Sequence, residues 1–132
     1  MAGKIALPIV FHMALALAPA VGFPFVAGHH GGLIINCTAP TFFEESPGKD
    51  ARVPLLEGFS FTASENTDPD TLEVRVNNQP VPIKVTPQRS GRYAVEVHLP
   101  QPIAQGRAWI KVTAVSGDGC DQLHTWNVYS GP

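Results

Sequence analysis

From Phe59 onward apolar side chains return at every second position, and this period constrains the fold more than any other feature of the chain. Phe59, Phe61 and Ala63 form one set, Leu72, Val74 and Val76 a second, and Val81, Ile83 and Val85 a third. Tyr93, Val95, Val97 and Leu99 follow, then Ala108, Ile110, Val112 and Ala114, and finally Trp126 and Val128. A period of two puts one face of a strand in a core and the other toward water. The breaks are turn-formers: Asp68-Pro69-Asp70, Asn77-Asn78, Arg89-Ser90-Gly91, Pro100 to Gly106, and Gly117-Asp118-Gly119. Thirteen prolines and twelve glycines punctuate the 132 residues, which suits short strands and opposes a helical bundle. Pro80, Pro82 and Pro87 mark the third set as an edge strand, because proline cannot donate to a ladder. Leu33 to Cys37 reads as a first strand, and Thr41 to Ala51 as an irregular connector or broken edge. About seven such strands with no helical period predict an all-β chain, a single antiparallel two-sheet sandwich.

Ahead of these strands lies a segment of different character. From Ile5 to Ala27 there is no charged residue, and a run of about 20 apolar residues is enough to cross a bilayer core. Lys4 precedes it, so the positive-inside tendency holds that end in the cytoplasm and sends the rest of the chain outward. Two readings stand. In one the segment is a signal peptide, cleaved at Ala18-Pro19-Ala20 or after Ala27. In the other it stays as a transmembrane helix, since a cut at Ala20 leaves the apolar start Val-Gly-Phe-Pro-Phe-Val-Ala, and a cut after Ala27 sets bulky Phe25 where a small residue is wanted. The anchor is the reading carried forward: residues 1–27 as membrane helix, 28–32 as a glycine-histidine joint, and 33–132 as the sandwich.

Export also settles how the cysteines are read. Cys37 and Cys120 are the two in the chain, and an oxidising compartment makes them a disulfide. With nine basic against eleven acidic residues there is no basic stripe for nucleic acid, so none is expected as a partner.

Val74-Arg75-Val76-Asn77-Asn78-Gln79-Pro80-Val81, Gly91-Arg92-Tyr93-Ala94-Val95-Glu96-Val97, Leu99, the run Gly106 to Ala114 and Asp118-Gly119 together resemble the bacterial immunoglobulin-like domains. The match covers roughly residues 70–129. Asn78 departs from the usual turn glycine, Trp109 from a small or polar residue, and Cys120 follows the terminal glycine. The resemblance implies architecture and a spacer, adhesion or docking role, with no shared active site.

The chain carries no nucleophile elbow, phosphate-cradling loop or HExxH helix, and it is expected not to be an enzyme. His29 and His30 have one chemical reading of note. If the leader were cut after Ala27, Gly28-His29-His30 would offer a free amine and imidazoles, a donor set that suits copper(II). His98 and His124 are further ligands if the fold brings them near. His12, inside the apolar run, has a possible role toward a haem or pigment, or pairs with lipid headgroups. Asn66, Asp68, Asp70, Asp118 and Asp121 lack a calcium-loop pattern and read as turn residues. Trp126 belongs to the core by its phase. Trp109, Lys111 and Thr113 alternate outward and form a candidate protein interface.

The expectation from the whole sequence is a non-catalytic accessory subunit held in the lipid bilayer, its outer domain docking on an integral membrane protein complex, respiratory or photosynthetic, without a cofactor. The alternatives are a soluble periplasmic copper-binding protein released by cleavage, and a cell-surface adhesion or carbohydrate-binding module.

Overall fold

The computed structural model describes Gly3 and residues 36–132. The anchor or signal segment, the joint, His12, His29 and His30 all lie outside the described residues. Among the described residues no helix is long and apolar enough to cross a membrane.

Nine strands occur among the described residues: β1 (Phe42–Ser46), β2 (Ala51–Val53), β3 (Leu56–Ala63), β4 (Glu73–Val76), β5 (Gln79–Pro80), β6 (Ile83–Pro87), β7 (Tyr93–Ile103), β8 (Gly106–Val115) and β9 (Asp121–Ser130). They form a four-stranded sheet in the order β1-β3-β7-β6 and a five-stranded sheet in the order β2-β9-β8-β4-β5. The all-β, two-sheet architecture follows from the period-two pattern. Ala108, Ile110, Val112 and Ala114 of β8 are fully buried, as are Val95 and Val97 of β7 and Val128 of β9. These inward faces meet as one core, and the alternate residues of each strand turn to water.

Several details refine or differ from the sequence reading, each for a local reason. The stretch 41–51, read as a connector or broken edge, supplies β1, an edge strand whose register shifts between Phe43 and Ser46, and β2 begins at its end. The chain steps from one sheet to the other between them, and β2 then pairs in parallel with the end of β9, Ala51 opposite Val128 and Val53 opposite Ser130. The sandwich is therefore not wholly antiparallel. Of the expected first strand Leu33–Cys37, residues 33–35 lie outside the described residues, and residues 36–40 form no ladder and make a strap. Strand β7 continues through Pro100 and Pro102 to Ile103, where the sequence suggests a break. Its β6 neighbour pairs no further than Val97, so the rest of that side is a free edge where proline forgoes no hydrogen bond. Asn77 and Asn78 both adopt positive φ, 49° and 67°, and close the β4–β5 hairpin with two residues. Asparagine tolerates that region, which explains how it stands in for glycine.

Gly58 sits at a register shift between β3 and β7, where Leu56 faces Ile103 and Gly58 faces His98. A Cβ there would lie 2.2 Å from the Val97 carbonyl oxygen, so the backbones can approach this closely at glycine and not at a larger residue.

Candidate functional site

His124 lies on β9 in phase with Trp126 and Val128, so its ring points into the space between the sheets, at the end where the core opens. Strand β2 covers β9 only over Val128–Ser130, leaving the 121–126 stretch with a ladder on the β8 side alone. Into this seam β1 brings Glu45. The His124 Nε2 and Glu45 Oε1 atoms lie 2.6 Å apart, with about a third of the imidazole and a quarter of the carboxylate side chain exposed. The imidazole is flanked by Trp126, 5.5 Å between ring centres, and by Phe42, 6.1 Å. Trp126 in turn makes edge contacts with Phe59 and Phe61, and its Nε1 donates to the Pro47 carbonyl at 3.2 Å. Histidine and tryptophan thus pin the β1–β2 crossing onto β9 from two sides.

A second cluster lies where the strap meets the β8–β9 turn. Cys37 and Cys120 are joined in a disulfide, as the sequence predicts. Asp118 accepts from the Thr38 amide at 3.2 Å and from the Ser116 hydroxyl. Those hydrogen bonds, the Ser116 one foremost, hold the Asp118 carboxyl below its ordinary value. Asn66 Nδ2 donates to the carbonyls of Thr38 and Ala39, at 2.9 and 3.1 Å. Ser64 Oγ accepts from the Thr41 amide at 2.9 Å. Asn66 and Asp118 are therefore fasteners of the strap. Asp68 caps the short 3-10 turn Pro69–Thr71 by accepting from the Asp70 amide, which accounts for Asp-Pro-Asp as turn chemistry.

The remaining candidates separate in space. His98 is exposed on the outward face of β7, and Trp109, Lys111 and Thr113 are half-buried on the outward face of β8, as their phase predicts. Among the described residues no three histidine, cysteine, aspartate or glutamate side chains gather as a metal site. His124 and Glu45 supply an imidazole nitrogen and a carboxylate oxygen, two donors of the hard-to-borderline kind that suits a cupric ion, and short of a full set. Both cysteines are bonded to each other, and Met1 and Met13 fall outside the described residues. The His124–Glu45 pairing was not drawn from the sequence, because Glu45 sits in the stretch 41–51 that shows no clean period. The signal available was the shared parity of His124 with Trp126 and Val128, which places it on the inner face.

The architecture defined by these strands is a two-sheet β-sandwich with its amino-terminal strap stapled to the last turn. No protein-family model matches the chain, and no curated protein matches it. Solved structures do. The chain is similar in fold to CopC from Methylosinus trichosporium OB3b, with a TM-score of 0.56 at 14% identity over 70% of this chain and 94% of that one. It is likewise similar to PcoC, a methionine-rich copper resistance protein from Escherichia coli, with a TM-score of 0.53 at 20% identity over 70% of this chain and 99% of that one. Identities this low establish a shared fold.

Proposed function

We propose that the chain is an exported copper-binding protein that takes up copper(II) outside the cytoplasm. The observation that carries this reading is the fold likeness, which extends over nearly the whole length of CopC and PcoC. It favours the copper reading over an accessory subunit of a membrane complex, for which the described residues offer no comparable support. The donors are nitrogen and oxygen. Cleavage after Ala27 would give a mature chain beginning Gly28-His29-His30, whose amine and imidazoles form the principal site. His124 and Glu45 are the one imidazole–carboxylate pair among the described residues, and they are the domain's own contribution.

The oxidation state follows from what the sequence lacks. PcoC is methionine-rich, whereas this chain has two methionines, Met1 and Met13, of which Met13 lies in the apolar leader. With the two cysteines tied in a disulfide, no thioether or thiolate cluster is left for the soft cuprous ion. The reading therefore places this protein with cupric rather than cuprous cargo. Competition titration of the mature protein against chelators specific for each oxidation state tests it. Stoichiometric Cu(II) uptake that is lost in the double variant His29→Ala, His30→Ala supports the proposal. Preference for Cu(I), or retention of full Cu(II) affinity in that variant, refutes it.

A further inference from the structure

The outward face of the five-stranded sheet concentrates cations and aromatics in a way the copper reading does not use. Along β8 the outward positions run Arg107, Trp109, Lys111, Thr113, and the register fixes their neighbours. Arg107 stands beside Tyr129, and Tyr129 beside Arg52 of β2. The Arg52 guanidinium covers the Tyr129 ring at 5.4 Å. In the next row Trp109 stands beside Asn127, and in the third Lys111 stands beside Arg75 of β4. Two residues of strand rise by roughly 3.3 Å each, so the three rows span about 13 Å, and adjacent strands lie about 4.8 Å apart.

Four cations thus share one side of a sheet in a chain whose net charge is −2. Among the described residues none of the four has an acidic partner within ion-pair distance. Of the acids near these strands, Glu73 and Asp121 lie beyond the third row, at the Thr113–Val115 end, and Asp50, whose amide donates to the Asn127 carbonyl, stands at the margin of the second row. Trp109 is half-buried by its neighbours, and the buried Asn127 Oδ1 has no hydrogen-bond donor among the described residues.

We infer that this face, centred on Trp109 and framed by Arg52, Arg75, Arg107 and Lys111, docks an acidic surface of a folded partner protein. Charge complementarity names the chemistry: carboxylates that meet arginine forks in two-pronged hydrogen bonds, with an apolar contact over the indole. Arginine, tryptophan and tyrosine are the residues enriched at the centres of protein interfaces, and three of the four cations are arginine. An anionic lipid surface and an anionic polysaccharide are the competing occupants, and the identity of the captured molecule separates them from a protein.

The test is site-specific photocrosslinking in cells that carry the full chain. A benzophenone amino acid replaces Thr125, which is exposed and pairs with Lys111, and in a control replaces Thr86, exposed on the opposite sheet. The inference expects a discrete protein adduct from the Thr125 position and none from Thr86, with the crosslinked peptide of the partner rich in aspartate and glutamate. Arg107→Glu combined with Lys111→Glu should cut adduct yield about tenfold or more, and reversing the partner's carboxylates to lysine should restore it. The melting temperature of the double variant guards against loss of the fold. Adducts with lipid, polysaccharide or a second copy of this chain overturn the inference. So does an absence of any adduct, or a protein adduct indifferent to the charge reversal in a variant that stays folded. None of these outcomes depends on copper, so the two proposals fail separately.

Discussion

His124 and Glu45, 79 positions apart in the chain, meet at 2.6 Å across the open seam of the sandwich and tie the last strand of one sheet to the edge strand of the other. The contact is the polar end of a stack that continues through Trp126 to Phe59 and Phe61. Because the pair is partly sheltered by Phe42 and Trp126, it is less screened than a surface pair. A double-mutant cycle with His124→Ala and Glu45→Gln should give a coupling energy of about 1 kcal/mol by chemical denaturation. Strict additivity of the two substitutions would show that the contact contributes nothing to holding the sheets together.

Gly58→Ala should be among the most damaging single substitutions in the domain. The added Cβ falls 2.2 Å from the Val97 carbonyl oxygen, and backbone on both sides fixes the geometry. Relief requires β3 and β7 to separate at the bulge, at a cost of roughly 2–4 kcal/mol in unfolding free energy. A urea midpoint within experimental scatter of the parent protein would mean that the bulge has another conformation.

Reduction of the Cys37–Cys120 bond should destabilise the folded domain by about 2–5 kcal/mol, the range for native bridges in small exported domains. The strap should then be held by the hydrogen bonds to Asn66, Ser64 and Asp118. Hydrogen exchange at the Thr38 and Thr41 amides, compared before and after reduction, checks this. Unchanged stability on reduction contradicts it.

Asp118 gives that end of the fold a defined acid response. Its folded pKa lies below the ordinary 3.8, chiefly through the Ser116 hydroxyl and the Thr38 amide. A depressed carboxyl favours the folded state above the unfolded pKa, and that contribution is lost as the pH falls through the lower folded value. Carboxyl-carbon NMR titration should find Asp118 titrating below the ordinary value, with the Thr38 amide shifting in step. In Asp118→Asn the acid-dependent loss of stability assigned to this residue should vanish. A titration midpoint at or above 3.8 would contradict the assignment.

Period-two alternation made most of the core legible, from Phe59 and Val95 to Val128, because strand phase alone decides which side chains meet. The same phase correctly turned Trp109 outward and Trp126 inward. What stayed hidden arises where phase is interrupted. In β1 the positive φ of Glu44, 58°, breaks the alternation, so nothing local indicated that Glu45 would face His124. The parallel β2–β9 pairing, three residues long, carries too few side chains to announce itself. Asn66 and Asp118 read as turn residues in sequence and serve also as strap fasteners, a role that depends on the strap arriving from 28 and 27 positions away for Asn66 and 80 for Asp118.

The proposed role rests on copper(II) bound through nitrogen and oxygen donors. The most direct measurement is electron paramagnetic resonance of the mature protein, beginning at Gly28, loaded with one equivalent of Cu(II). A single tetragonal cupric signal with resolved nitrogen hyperfine structure is expected, and it should lose nitrogen couplings in His29→Ala, His30→Ala. A spectrum of free aquo copper, or a native amino terminus at Met1 that leaves Gly28 without a free amine, would contradict it.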